Sequence, residues 1–288
     1  MKPRQQSRAA YTLIELLVVI SLVAVLAGLT IAFFPNAASS ARESRAAVQL
    51  QGWLSVAKQR ALRDQAPRGL RLWIPSGSTQ VVECQYLEAP DDFSGGTVQS
   101  FGAAPLSNLG FPGTDMVNGY PVAFGQEKYW AVQPGDYLEV LGTGMMHRID
   151  QLTGPNSVAI SPPLTHPIST PTANYRIVRS PRAVGDETLK LPEDTVIDLQ
   201  TNANFNNPLV IGNNFESGFV DIVFSPSGEV ISRGVTGANI HLWVRSPDPN
   251  NPGDFFRGDP TIVSVFVKTG FTGAFPISRL GSPYLLVN

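Results

Sequence analysis

Ala10-Tyr11-Thr12-Leu13-Ile14-Glu15-Leu16-Leu17-Val18-Val19-Ile20 opens the stretch that decides how this chain is organised, and no charge follows Glu15 until Arg42. Residues 16–34 are the apolar part; as a helix rising about 1.5 Å per residue they nearly span a hydrocarbon core of about 30 Å. Lys2, Arg4 and Arg8 precede the run with no acidic residue among them. That bias keeps the amino terminus on the cytoplasmic side and sends the remainder across the membrane. Three kinds of segment share this hydrophobicity: a cleaved secretory signal, a plain signal anchor, and an anchor trimmed at its start and then retained. Asn36-Ala37-Ala38-Ser39 supplies the small residues of a signal-peptidase site, but the apolar run exceeds the roughly 7–15 residues of a signal h-region. Glu15 separates the remaining two. An ionisable side chain inside a membrane segment costs about 3 kcal/mol on insertion scales, so its presence implies a task.

Outward from the apolar run, Pro35 closes it and a helix resumes over 37–64, rich in Ala, Arg, Gln and Leu with Gly52 as the one interruption. Val48, Leu50, Trp53, Leu54, Ala57, Ala61 and Leu62 recur at spacings of three and four and mark one face for burial against a sheet. Arg42, Arg45, Lys58, Arg60 and Arg63 fall mostly on the other sides, a solvated face with Glu43 and Asp64 as salt partners.

Beyond Pro67 and Gly69 the pattern changes to short Val/Ile/Phe-rich runs divided by turn residues, predicting strands at 70–74, 81–87, 137–141, 158–160, 175–178, 196–199, 218–224, 229–231, 240–244 and 262–268. The fold class is therefore α+β, a long amino-terminal helix packed on an antiparallel sheet domain. Residues 100–182 read as an insertion with two to four strands of its own, and 202–214 and 248–254 as amide- and proline-rich exposed loops.

The 288 residues suffice for a large core, and the net charge of −2 gives no general drive towards nucleic acid. Arg176, Arg179 and Arg182 are the one local basic group that a DNA-binding reading could use. The single cysteine, Cys84, excludes an internal disulfide and reads as a buried strand residue. His147, His166 and His241 have no ligand spacing, Gly142-Thr143-Gly144 reads as a hairpin turn, and no GxSxG, P-loop or dinucleotide fingerprint is present. Asp248, Asn250, Asn251 and Asp254 form one oxygen-rich loop, read as a turn because it has two carboxylates and no EF-hand spacing. No cofactor, metal or small-molecule substrate is expected, and the chain is not read as an enzyme; a signal-anchored periplasmic enzyme is the least favoured alternative.

Residues 10–20 resemble the type IV prepilin cleavage and methylation motif. The resemblance implies that a prepilin peptidase cuts between Ala10 and Tyr11, leaves the apolar segment on the mature chain and methylates the new amine; the family's usual residue before the cut is Gly. An ammonium at Tyr11 near the membrane core needs an opposite charge, and Glu15, four residues on, can pair with it or with the Tyr11 amine of a neighbouring subunit. Leu191-Pro192, 196–198, 220–228 and 262–270, together with Ala61, Leu62 and 67–72, are similar to minor pseudopilins of the H type (GspH/FimT-like). The implied layout is a leader at 1–10, a transmembrane and assembly helix at 11–34, its periplasmic extension at 35–65 and a globular domain at 66–288. The implied role is a subunit of a type II secretion filament or related type IV pilus. It would sit in the inner membrane, with pseudopilins or pilins and the prepilin peptidase as partners, and a DNA-binding minor pilin is the alternative.

Overall fold

A computed structural model of the chain describes residues 12–94, 96–100, 105–112, 131–168, 174–185, 188–199, 218–232, 237–248, 250–251 and 254–287, the side chains of 29–39 excepted. Among the described residues one helix, α1 (Leu13–Asp64), precedes sixteen strands: β1 (Arg68–Trp73), β2 (Gln80–Val81), β3 (Glu83–Glu88), β4 (Gln99–Ser100), β5 (Leu106–Gly110), β6 (Tyr137–Val140), β7 (Met146–Gly154), β8 (Ser157–Leu164), β9 (Tyr175–Val178), β10 (Arg182–Ala183), β11 (Leu189–Lys190), β12 (Val196–Asp198), β13 (Phe219–Phe224), β14 (Asn239–Arg245), β15 (Thr261–Phe266) and β16 (Phe271–Pro276). The architecture is α+β, and every strand pairing is antiparallel.

Helix α1 is a single element of 52 residues that runs through Pro35, where the sequence suggested a break. Asp64 ends it because Gln65 turns left-handed at φ 51°. Its buried stripe is Glu43, Ala47, Leu50, Leu54, Ala57 and Ala61, a 4-3-4-3-4 spacing that keeps one seam facing the sheets. Val48 and Leu62, expected on this face, are 61% and 40% exposed. Each directly follows a stripe residue, and one helical step turns a side chain by about 100° out of the seam.

Two five-stranded sheets share the core under α1. The first runs β10-β3-β1-β13 with β11 also on β3; the second runs β16-β15-β14-β12-β2. Leu70, Leu72, Cys84, Val220, Ile222 and Phe224 from the first meet Ile240, Leu242, Val244, Val263 and Val265 from the second. Gly69 permits the close β1–β13 contact, because a Cβ there would overlap the Ile222 carbonyl. The other face of the second sheet is covered by the carboxy-terminal segment: Trp243, Ile262, Tyr284 and Val287 pack with Phe255, Phe256, Phe266 and Phe275.

A third sheet, β4-β5-β8-β7-β6-β9, spans residues 99–178 around its own core of Phe93, Leu109, Phe111, Leu138, Ile149, Val158, Tyr175 and Ile177. Six strands stand where two to four were expected. Strand β5 is bulged between Leu106 and Asn108, which breaks its alternation, and β7 turns a histidine, His147, inward beside Ile149. The turn at 141–145 joins β6 to β7 as a hairpin, with Gly142 and Gly144 at positive φ. Residues 229–231 form no strand; Val230 makes an isolated bridge to Phe224.

Candidate functional site

The amino-terminal half of α1 begins with a sequence-encoded cap. Thr12, at extended φ and ψ, accepts the Glu15 N–H on Oγ1 at 3.3 Å, and Glu15 Oε2 accepts the Thr12 N–H at 3.1 Å. This reciprocal capping box satisfies two amide donors that a helix start otherwise leaves open, and it places a carboxylate at the positive end of the helix dipole. The Thr12 hydroxyl also lies 3.1 Å from Glu15 Oε2. Ala10 and Tyr11 lie outside the described residues, so the cleavage site and the Tyr11 partner of the expected charge pair have no described geometry. What the structure adds is a second task for Glu15: its carboxylate is engaged by its own helix end.

From Leu13 to Leu26 every large apolar side chain is 54–83% exposed, on all sides of the helix. The hydroxyl within this stretch is internally satisfied, Ser21 Oγ donating towards the Leu17 and Val18 carbonyls at 2.9 Å. Among the described residues no helical stretch is long and apolar enough to cross a membrane. The expected span of 11–34 extends past the described side chains at both ends, since those run from residue 12 to residue 28.

The second half of α1 is held by polar contacts as well as by its stripe. Gln51 Nε2 donates to the Thr272 carbonyl at 3.0 Å, Ser55 Oγ and Thr272 Oγ1 are 3.0 Å apart, and Lys58 Nζ donates to the Thr269 carbonyl at 2.8 Å. Arg60 stacks over the Tyr86 ring at 4.2 Å. Lys58 and Arg60 thus brace the helix on the sheets instead of facing only solvent. Glu43 is the main correction to the sequence reading. It is fully buried, and its two oxygens accept the N–H groups of Ser246 and Asp259 at 2.9 Å each. Gly258, at φ +74°, makes room for that carboxylate; a Cβ would sit 2.8 Å from Glu43 Oε1. Arg42 pairs with Asp194 at 3.0 Å, and Asp64 with Arg63 and Arg68. Sequence reasoning missed Glu43 because its partners are backbone amides some 200 residues away; the 4-3 spacing to Ala47 and Leu50 was the available signal.

The arginines of the nucleic-acid alternative form no exposed stripe. Arg176 is held by Glu139 at 2.6 Å and Asp92 at 3.5 Å, while Arg179 and Arg182 are buried. Arg182 Nη2 lies 3.0 Å from Asp136 Oδ2, and Asp136 also accepts the N–H groups of Gln133 and Ser180. Burial pushes the Asp136 carboxyl above the usual carboxylate range despite these partners. Cys84 is buried in β3, and burial pushes its thiol up, far from a reactive thiolate. Of the histidines, His147 and His241 are buried in β7 and β14 and His166 is exposed. Asp248 is paired with Arg257 at 2.8 Å and Asp254 caps the Phe256 N–H, so the oxygen-rich loop spends its carboxylates on turn structure. Among the described residues no three of His, Cys, Asp or Glu come together as metal ligands.

The chain matches no curated protein and no solved structure. A family profile described as the prokaryotic N-terminal methylation motif matches residues 5–31, which include Ala10, Tyr11, the capping box and most of the apolar run. The motif points to a structural, membrane-anchored protein that is processed by a prepilin peptidase and assembles with other pilins. The chain thus carries the type IV pilin-like prepilin signal at its amino terminus.

Proposed function

We propose that this chain is a minor pseudopilin of the H type, a structural subunit of a type II secretion filament or a related type IV pilus. The observation that carries the reading is the division of α1. One unbroken helix presents bare apolar side chains from Leu13 to Leu26 and is buried along one seam from Glu43 to Ala61. A subunit stored in a bilayer and then moved into a filament needs that arrangement, because lipid contacts are exchanged for helix contacts without rebuilding the globular part. Residues 1–10 are the leader, 11–34 the transmembrane segment, 35–65 its periplasmic extension and 66–288 the globular domain, with 100–182 as an insertion on the pilin-like fold. The amino terminus before cleavage is cytoplasmic and the domain periplasmic.

The prepilin peptidase cuts between Ala10 and Tyr11 and methylates the Tyr11 amine. Glu15 then serves in two settings. In the isolated subunit it caps its own helix; in the filament its carboxylate neutralises the Tyr11 ammonium of a neighbour and fixes the register between subunits. The test is to co-express the full chain with a prepilin peptidase and determine the mature amino terminus by mass spectrometry. N-methylated Tyr11 is the expected result; an intact Met1 or a start near Ser39 overturns the proposal.

A further inference from the structure

Where α1 enters the sheet domain, Ser40 and Ser44 of the helix, Phe256 and Asp259 before β15, and Ile277 and Arg279 after β16 line a notch of about 300 Å³. Its polar wall carries both signs of charge. Arg279 Nη2 donates to the Gly258 carbonyl at 2.6 Å and lies 3.4 Å from Asp259 Oδ1, while its Nε and Nη1 make no hydrogen bond among the described residues. Asp259 Oδ2 accepts from Ser40 Oγ at 2.8 Å. Both charged side chains remain open to solvent, 62% and 75% exposed, so their mutual pairing is weak and leaves each available to a ligand. Phe256 and Ile277 supply an apolar wall, and Leu280, next to Arg279, is 83% exposed.

The height of the notch along α1 selects the ligand. Ser40 lies six residues beyond Phe34, the last residue before Pro35 in the apolar run, which is about 9 Å along a helix. The headgroup layer on each side of a hydrocarbon core is about 5–8 Å thick. With the apolar run in the membrane, the notch opens at the outer edge of that layer.

We propose that the notch binds the headgroup of a phospholipid bearing both a phosphate and a primary ammonium. The free Arg279 donors take the phosphate oxygens, Asp259 takes the ammonium, and Phe256 and Ile277 lie against the ethanolamine carbons between them. A purely anionic headgroup would meet the Asp259 carboxylate, and a trimethylated ammonium has no N–H to donate to it. The inference rests on the membrane-anchored reading of residues 11–34 and adds a lipid preference to it.

The test is native mass spectrometry of the full chain in detergent micelles supplied in turn with dioleoyl phosphatidylethanolamine, phosphatidylcholine and phosphatidylglycerol. Retention of the ethanolamine lipid is expected to exceed that of the other two about tenfold, the scale of one charge-assisted hydrogen bond. Asp259→Asn should erase the preference over phosphatidylcholine, Arg279→Gln should lower retention of all three, and Ile277→Trp should block the notch from its apolar side. Equal retention of the three lipids, or a preference that survives both Asp259→Asn and Ile277→Trp in variants with wild-type circular dichroism, overturns the proposal. Alkaline extraction of membranes reads the anchor separately: a chain that stays in the membrane without headgroup preference sinks the notch alone, and a chain released by alkali sinks both.

Discussion

The first and second halves of α1 share one backbone and differ in what surrounds them. Leu13 to Leu26 present leucine, isoleucine and valine outward at 54–83% exposure, whereas Ala47, Leu50, Leu54, Ala57 and Ala61 are at most 1% exposed. A water-facing helix does not keep such a surface, since exposed apolar patches of this extent mark an interaction surface or a membrane. The second half belongs to the domain core, and its residues are chosen for a sheet; the first half, from Leu13 to Leu26, leaves its large apolar side chains exposed among the described residues. The two halves therefore answer to different tests, and substitutions should separate them cleanly.

The largest effect is expected in the packed half. Leu54→Ala leaves a cavity between α1 and both sheets and should cost about 2–5 kcal/mol in denaturant unfolding. Leu17→Ala should change the unfolding of the domain by less than about 0.5 kcal/mol, while lowering membrane retention or filament incorporation. Equal losses of stability in the two variants would break the comparison.

The next effect concerns the face of the second sheet opposite α1. His241, stacked on Tyr284 and bonded to Ser264 Oγ at 2.7 Å, has its pKa lowered by burial to about 4. A base with a depressed folded pKa contributes stability that is complete above its unfolded value near 6.5 and is lost as pH falls towards 4, because the unfolded chain takes the proton first. The loss should be on the order of 3 kcal/mol between those pH values. The buried carboxyls of Asp136 and Asp221, held above their usual range, act in the opposite sense. The measurement is therefore the difference between the wild type and His241→Gln, which should flatten the acid limb; identical pH profiles would refute the assignment.

Glu43→Ala removes the buried acceptor of two partly buried N–H groups and should cost about 2 kcal/mol. Glu43→Gln keeps one oxygen and should lose less. Hydrogen exchange at the Ser246 and Asp259 amides should rise in the alanine variant, and unchanged protection would argue against the clasp.

The smallest change in stability sharpens the amino-terminal half. Glu15→Ala should loosen the first turn by about 1 kcal/mol, and Glu15→Gln should keep the cap through its amide oxygen while removing the charge. Cleavage should survive in both variants. If filament incorporation fails in both, the charge is what assembly needs; if the glutamine variant assembles normally, the cap is what matters and the intersubunit charge pair falls.

How much of this was legible in the sequence follows the range of the forces involved. The apolar run, Glu15 in it and the basic residues ahead are local patterns, and they carry the prepilin resemblance unaided. Thr12-Leu13-Ile14-Glu15 also spells the capping box, a signal carried by four neighbouring residues. Strands β1, β3, β6, β8, β9, β12, β13, β14 and β15 followed from their alternation and flanking turns, β8 only over its first half. Strands β5, β7 and β16 did not: a bulge, an inward histidine and a Gly-Pro content disguise their period.

By itself, then, the sequence determined the amino-terminal signal, the α+β class and the place where helix gives way to sheet, because helix and strand periods and membrane hydrophobicity are written in neighbouring residues. Only the tertiary structure decided that Val48 and Leu62 stay outside the seam, that Glu43 is an interior clasp, that Arg182 is buried against Asp136, and that Asp259 and Arg279 meet Ser40 in one notch. Each of those depends on partners from about 40 to more than 200 residues away, or on a rotation of one helical step, and the burial and charge of a side chain are set by what the fold brings to it.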